Sequence, residues 1–543
     1  MPTHTITVLG AGITGLSTAF HLARFLPGSS RITLLEQRNT IGGWINSQKS
    51  LLRADALTNT VGIEQNVLLE TGPRTLRPNN LALLELVNLL DLTTSLLTVS
   101  QSHPASKARY ISFPPLTLLP SSIPSVLRSR FSTNPVLQAL LPSVLSELGR
   151  PPNRPTGIRD ESVHSLVERR FGEEFARNYL SAIVHGIYAA DARSLSVRAT
   201  FPFLWEAETR GNGSILKGIL KSMFTPRKGV KAEEDEGFEL GSVKDTMKNV
   251  SMFTFKDGMR TLPGALANWL STRSNVEIRT STGVSSIKPT LTGIELTLSD
   301  SSTLTASHVI SALPLPVLHK ALHPSHPVPH LTANPSSTVL VINLIFPPSP
   351  TGKPHHPDGF GYLVPRPPSD YASSFPLSNS GHIDISPSLL GVIFDSAMPS
   401  PHSHSHSPPP FLPPLSQTLN QPQNLTRFTL MLGGPHPLPP QLPPLSSLLQ
   451  PLLQSLSATL SISSLPLPLH ANMTLQRNCI PTYAPGHLDR MAELREILQD
   501  NRGEWKGRMW VIGSGVGGVS LGDCVMQGRK AAKELSLLLG QNS

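Results

Sequence analysis

Ile6-Thr7-Val8-Leu9-Gly10-Ala11-Gly12-Ile13-Thr14-Gly15 decides how this chain folds. Ile6 to Leu9 form a short strand, the glycines end it, and Thr14 to Leu26 reads as a helix. Arg31-Ile32-Thr33-Leu34-Leu35 is a second strand, which completes a βαβ unit. In the Gly-x-Gly-x-x-Gly turn the first glycine allows the tight bend and the second lets backbone approach a pyrophosphate. The third lets the helix pack close on the strand, and the helix N-terminus faces the phosphates. Glu36 follows 21 residues after Gly15, placed to accept hydrogen bonds from a ribose diol. Gly10, Ala11, Gly12, Ile13, Thr14, Gly15 and Glu36 are therefore a candidate dinucleotide site. The competing reading is a glycine-rich turn beside a surface glutamate.

The 543 residues suffice for two or three domains. Charged residues make up only 15 % of the chain against 38 % hydrophobic, and the formal net charge is +9. That balance favours an acidic small molecule or an anionic lipid surface. No dense Lys/Arg run and no RNA-binding signature is present, so nucleic acid is not an expected partner. Cys479 and Cys524 stand alone, which argues against a disulfide framework or a zinc site. The N-terminus runs straight into a strand, so no leader is expected. No run of about 18 apolar residues occurs, so no spanning helix is expected, while association with a membrane surface stays open.

Further along, Asn80 to about Trp205 is leucine-rich and reads as mostly helical, broken by Pro114, Pro115, Pro120 and Pro124. Residues 226–249 look like a solvated charged loop. Strand-like stretches follow at Val276–Ile278, Gly293–Leu296, His308–Ile310, Val339–Phe346, Leu390–Asp395 and Arg427–Leu432. Pro399–Pro422, with His402, His404 and His406 among serines, reads as a disordered insertion rather than a metal tract. A second Pro/Leu/Ser segment runs from Pro435 to Leu469. The chain ends in a strand (Met509–Ile512), a glycine loop and a helix (Asp523–Leu538).

Three further segments bear on which dinucleotide is held. Arg38-Asn39-Thr40-Ile41-Gly42-Gly43 directly follows Glu36 and Gln37; Glu70-Thr71-Gly72-Pro73-Arg74 comes next; Gly513-Ser514-Gly515-Val516-Gly517-Gly518-Val519-Ser520-Leu521 precedes the last helix. All three resemble segments of FAD enzymes of the amine-oxidase superfamily. A helix N-terminus at the last loop places about half a positive charge where reduced flavin is negative.

Other stretches are more specific. Asp160-Glu161-Ser162-Val163, Arg169-Arg170-Phe171-Gly172, Gly186–Ser196, Phe201–Glu208, His308–Pro314, Gly359-Phe360-Gly361-Tyr362-Leu363-Val364-Pro365, Met431-Leu432-Gly433-Gly434, Asn478-Cys479-Ile480-Pro481 and Asp523-Cys524 together resemble the protoporphyrinogen oxidase family, of the eukaryotic mitochondrial type, in order and spacing. The resemblance covers nearly the whole chain apart from residues 226–249 and the two Pro/Ser-rich segments. It implies a flavoenzyme on the mitochondrial inner membrane, peripheral and without a spanning helix. Such an enzyme takes six electrons from protoporphyrinogen IX in haem biosynthesis and passes them through FAD to O2, releasing hydrogen peroxide. A homodimer is an assembly the resemblance allows.

For the fold it implies an α/β (α+β) architecture. The parts are a discontinuous Rossmann-like FAD-binding domain over 1–85, 250–315 and 476–543 and a helical, membrane-associating domain over 86–205. A linker over 206–249 and a mixed-sheet substrate domain over 316–475, with insertions at 399–422 and 435–465, complete the division. Cofactor contacts carry over to Gly10–Gly15, Glu36, Gln37, Arg38, Gly43, Trp44, Gly72, Pro73, Arg74, Thr75, Val284, Ser514, Val519, Ser520 and Leu521. Substrate contacts carry over to Arg109, as partner of a propionate, to Arg74, Phe360, Gly361, Leu363 and Met431. The rival reading of Arg74 is a structural salt bridge, and that of the four sheet residues is ordinary core. At Gly361 the missing side chain is expected to let a ring approach the backbone.

No catalytic base is implied and no metal site is expected, because hydride transfer is flavin chemistry that the protein positions. The rival functions are another FAD oxidase of the superfamily, coproporphyrinogen oxidation, and a non-catalytic scaffold. An amine oxidase should carry an aromatic cage, whereas this chain has 6 tyrosines and 5 tryptophans. Extra cavity arginines would favour the coproporphyrinogen reading, and a colourless protein the scaffold.

Overall fold

The computed structural model describes residues 4–53, 64–113, 116–120, 123–132, 134–224, 237–372, 374–375, 383–397 and 425–541. The insertion 399–422 and the charged run from Lys228 to Glu236 lie outside the described residues.

Five parallel strands form the first sheet, in the order Met509–Val511, His308–Ser311, Thr5–Leu9, Arg31–Leu35, Val276–Arg279. Thr5–Leu9 sits at its centre, and its near-continuous burial is what a strand covered on both faces requires. The two ends of the chain meet here. Helix Ile13–Phe25 packs along the last helix, Leu521–Gln541, where the Ser17 hydroxyl donates to the Val525 carbonyl. Gly528 permits the contact, since a Cβ there would sit 3.0 Å from the Thr14 carbonyl oxygen. A three-stranded antiparallel sheet (Val284–Pro289, Ile294–Leu298, Thr303–Ala306) packs beside it through Ile287, Leu296 and Leu315.

The second large sheet has seven strands, in the order His470–Pro481, Ser336–Phe346, Thr426–Gly433, Leu389–Phe394, Gly361–Leu363, Tyr110–Ile111, Thr117–Leu118. One face is covered by helix Leu445–Leu460 through Leu448, Leu452 and Leu456, which pack on Leu340, Ile342 and Leu344. The other face packs on the hairpin Ser47–Arg53/Glu64–Glu70 through Ile345 and on Ala189 through Val339 and Val341.

Three expectations need correction. Residues 435–465 are not merely an insertion, because Leu445–Leu460 is a helix despite Pro451, held by its buried leucine stripe. The leucine-rich stretch from Asn80 contains strands as well as helices: Leu96–Ser100 pairs with Val250–Phe255, and Tyr110–Ile111 enters the large sheet. Most of residues 206–224 is helix rather than linker (Pro202–Arg210 and Ile215–Phe224), and Val243 and Met247 are core.

The helical layer is fastened by ion pairs. Arg170 and Glu147 are both fully buried and paired at 2.8 Å, and Glu147 also accepts from the Ser214 hydroxyl and the Ile215 N–H. Breaking such a pair by removing one partner typically costs about 3–5 kcal/mol. Arg169 bridges Glu161 and Glu208. The Arg169-Arg170 motif is thus a structural clamp. No helix of the described residues is long and apolar enough to cross a membrane.

Candidate functional site

The glycine turn, the Glu36 segment, the Gly42-Gly43 turn, the Gly72 turn and the last glycine loop converge. Gly10 takes φ +90°, and a Cβ at Gly15 would sit 1.8 Å from the Gly10 carbonyl oxygen, so only glycine lets the helix start so close to the strand. The Gly42 N–H donates to the Ala11 carbonyl, and a Cβ on Gly43 would meet the Gly12 Cα at 3.2 Å. A Cβ on Gly72 would meet the Trp44 carbonyl oxygen at 2.1 Å. Gly513 lies against Thr14.

The first helix has neither a side-chain cap nor an acidic residue in its first turn. Its leading amides are therefore left for an anion, as a pyrophosphate site requires. Glu36 accepts from the Ala11 N–H at 2.8 Å and the Arg38 N–H at 3.0 Å, one per oxygen, with a lone pair left on each for a ribose hydroxyl. The Arg38 guanidinium lies 5.5 Å from the centre of the Trp44 ring. Gly283, next to Val284, packs against Gln37, and the Thr282 N–H donates to the Glu36 carbonyl. These residues fit FAD: side-chain-free backbone and unoccupied donors stand where its pyrophosphate and ribose would lie.

The last helix differs from expectation. Ser520 and Asp523 cap each other, with the Asp523 carboxylate accepting from the Ser520 N–H and hydroxyl at 3.2 and 2.6 Å. That carboxylate offsets the positive helix end, which therefore does not act alone on a flavin.

Across the Gly72 turn, Arg74 is tied at 2.7 Å to Asp395, which lies just past strand Leu389–Phe394. Asp395 also accepts from the Thr429 hydroxyl at 2.6 Å. Thr429 in turn accepts from the Asn343 amide at 2.7 Å, which fixes that amide's orientation and leaves Asn343 Oδ1 buried without a partner among the described residues. The structural ion pair thus occupies Arg74, although it stands at the junction between the two sheets. Glu70 is mostly buried. Burial pushes its carboxyl up to about 7, although it accepts from the Met259 N–H and the Ser47 hydroxyl.

Strand register places the other candidates. Leu363, Gly391, Met431, Val341 and Thr474 are opposite one another on successive strands, and Gly361, Ile393, Thr429, Asn343 and Asn472 form the next row. Residues so paired share a face. Leu363, Met431 and Ile393 are only partly buried, as wall residues are. Helix Ser181–Tyr188 crosses over Leu363, where a Cβ on Gly186 would come within 2.6 Å of Leu363 Cδ2.

Gly361 is constrained by its neighbouring strand. It takes φ +146°, and a Cβ would lie 2.1 Å from the Val392 carbonyl oxygen, so the neighbouring strand already requires glycine here.

Arg109 stands beside Phe360, its guanidinium carbon 5.7 Å from the ring centre. The Phe360 N–H donates to the Ala108 carbonyl, which locks the two segments together. Arg109 donates to the Ser106 carbonyl at 3.1 Å, and no carboxylate pairs with it among the described residues. Half-burial, then the charge of Arg77, pull its pKa down. Two cations together, with no carboxylate paired to Arg109 among the described residues, favour an anionic ligand.

Arg77, Gly391, Ile393 and Asn343 were not singled out from the sequence. Arg77 had a local signal, three residues after Arg74; the others are recognisable only through strand register. Cavities of about 550 Å³ (Tyr110, His355, His356, Ile462) and 180 Å³ (Met491, Trp510, Gln527) lie away from these rows. His164, Glu168 and Glu173 come within 4.8 Å of one another, a cluster that sequence spacing did not reveal, and Arg366 holds Glu173.

The chain is similar to known proteins over nearly its whole length. The flavin-containing amine oxidoreductase family matches residues 13–398. The protoporphyrinogen oxidase of Schizosaccharomyces pombe is 32 % identical over 99 % of this chain and 100 % of its own length. The human protoporphyrinogen oxidase is 30 % identical over 97 % of both chains. A solved Exiguobacterium protein, described as a candidate protoporphyrinogen oxidase, superposes with TM-score 0.67 over 99 % of both chains at 18 % identity, a likeness of fold.

Proposed function

The chain belongs to the protoporphyrinogen oxidases within the flavin-containing amine oxidoreductases, and we propose from that premise that it oxidises protoporphyrinogen IX to protoporphyrin IX in haem synthesis. The observation that carries this reading is the single sheet face bearing Leu363, Met431 and Ile393, with Arg109, which has no carboxylate partner among the described residues, beside Phe360 at its edge. An apolar tetrapyrrole with propionate arms matches an apolar wall rimmed by a cation.

FAD, when bound, supplies the hydride acceptor and hands electrons on to O2. The chain's part is placement. Arg109 binds a propionate, with a fork suited to bidentate contact. Leu363, Ile393 and Met431 exclude water and seat the macrocycle against the sheet. The Gly72 turn and the Arg74–Asp395 pair fix the distance between the flavin segment and the sheet, the orientation on which the step depends. Six electrons and six hydrogens leave the substrate, and three O2 molecules take them up as three H2O2.

The same reading places the enzyme peripherally on a membrane, the mitochondrial inner membrane. Phe131 is 84 % and Met223 73 % exposed, and Leu127, Leu145, Phe203 and Leu220 are exposed with them in the helical layer. Apolar side chains of this kind dip into an interface without a spanning helix.

The test gives purified protein protoporphyrinogen and coproporphyrinogen in air and follows porphyrin fluorescence and peroxide. A rise with protoporphyrinogen and about three peroxides per porphyrin are expected from the chemistry above. No rise above autoxidation with either substrate overturns the proposal, and a preference for the four-carboxylate substrate redirects it.

A further inference from the structure

Three segments so far have no part in the site: Asp160–Val163, Arg193–Ser196 and Asn478–Tyr483. The fold brings them to one junction behind the Gly513–Ser520 loop. Asp160 Oδ2 accepts from the Ser196 hydroxyl at 2.6 Å and the Gly486 N–H at 2.7 Å. The Ser196 N–H donates to the Tyr483 carbonyl at 2.6 Å. The Tyr483 hydroxyl then spans the loop, donating to the Ser514 carbonyl and accepting the Gly518 N–H at 3.0 Å.

The Tyr483 ring stacks on His487, centroids 4.0 Å apart and 7° from parallel. His487 Nε2 faces the Val516 carbonyl at 2.8 Å, and a carbonyl only accepts, so Nε2 carries the proton. Nδ1 is then the acceptor for the Asn334 amide at 2.8 Å, while Asn334 Oδ1 accepts the Ala484 N–H. Tyr483 and His487 are almost wholly buried, so no water competes for these bonds. Independently, Val519 packs into the apolar core of the helical layer.

We propose that Tyr483 and His487 are positioning residues for the flavin: they hold the Gly513–Ser520 loop in the shape that meets the cofactor, and Asp160 and Ser196 tie that shape to the helical layer. This rests on the flavin reading. One hydroxyl bonding two points of a glycine-rich loop removes the freedom such a loop otherwise has.

The test is Tyr483→Phe in the holoenzyme, which keeps the stacked ring and leaves the Ser514 carbonyl and Gly518 N–H unpaired. FAD binding is expected to weaken about tenfold, as loss of about 1.4 kcal/mol does. A tenfold poorer preference for reduced flavin lowers the midpoint potential by about 30 mV. Asp160→Asn, which does not touch the loop, should shift the potential the same way by less. A role in stability alone would lower the melting temperature of both variants and leave potential and FAD affinity at parental values; that result overturns the proposal. If Tyr483→Phe fails to fold, the potential of Asp160→Asn decides. A parent chain that binds no FAD would instead sink the cofactor reading.

Discussion

Replacing Glu70 with glutamine removes the most displaced carboxyl of the flavin-side segment. Its pKa is raised from 4.5 to about 7 by burial, which outweighs the Met259 and Ser47 hydrogen bonds and the charge of Arg74. A shift of that size corresponds to roughly 3 kcal/mol lost from stability once the carboxyl must ionise. Because the folded pKa is the higher one, the native chain binds more protons than the unfolded chain between pH 4.5 and about 7. The penalty is therefore absent below that window, grows across it, and is complete above it. Glutamine keeps an oxygen for the Met259 N–H and misplaces one bond to Ser47, an offset of about 1 kcal/mol. Glu70→Gln should thus stabilise the holoenzyme by about 2 kcal/mol at pH 8, with the gain gone by about pH 5. A chain of this size does not unfold in one step, so the assay is calorimetry of parent and variant, comparing the same transition across that pH range. A gap that does not change with pH, or a variant less stable at pH 8, would refute the assignment of burial as the cause.

Gly15→Ala should yield protein without flavin colour, since the new Cβ would lie 1.8 Å from the Gly10 oxygen; a variant with parental flavin content contradicts the packing argument. Arg109→Met should raise KM for the porphyrinogen about 10- to 100-fold, the worth of a charged hydrogen bond of about 1.5–3 kcal/mol, with flavin content unchanged, and Arg109→Lys should recover part of it. Loss of flavin instead would mean that Arg109 serves the cofactor. Phe131→Glu with Met223→Glu should abolish sedimentation with anionic vesicles while leaving turnover of detergent-dispersed substrate intact; undiminished vesicle binding rules out those side chains as the anchor.

How much of this was legible in the sequence follows from how local each signal is. The βαβ unit, Glu36 and the strands at Val276, His308 and Met509 carry their information within a few residues, as β-branched runs and glycine punctuation. Strand His470–Pro481 lies at the sheet edge, with no alternation of burial along it and polar residues throughout, so no period marks it. Helix Leu445–Leu460 was masked by Pro451 and four serines, although its buried leucines follow a helical stripe. The substrate candidates came from family likeness, because their sharing of one face depends on pairing across five strands. The constraint that Val392 puts on Gly361, a close approach of backbone, is one that composition does not carry. Tyr483 and His487 stayed hidden because their partners are a loop some thirty residues on and, through Ser196 and Asp160, a helical layer some three hundred residues back.

The most direct measurement mixes the purified yellow protein with protoporphyrinogen in the absence of oxygen and follows the flavin absorbance. The expected result is rapid bleaching, with colour and porphyrin fluorescence both returning when air is admitted. Flavin that stays oxidised while porphyrinogen is present, or bleaching that Arg109→Met leaves at the parental rate at low substrate, would contradict a tetrapyrrole held against the flavin by this sheet face.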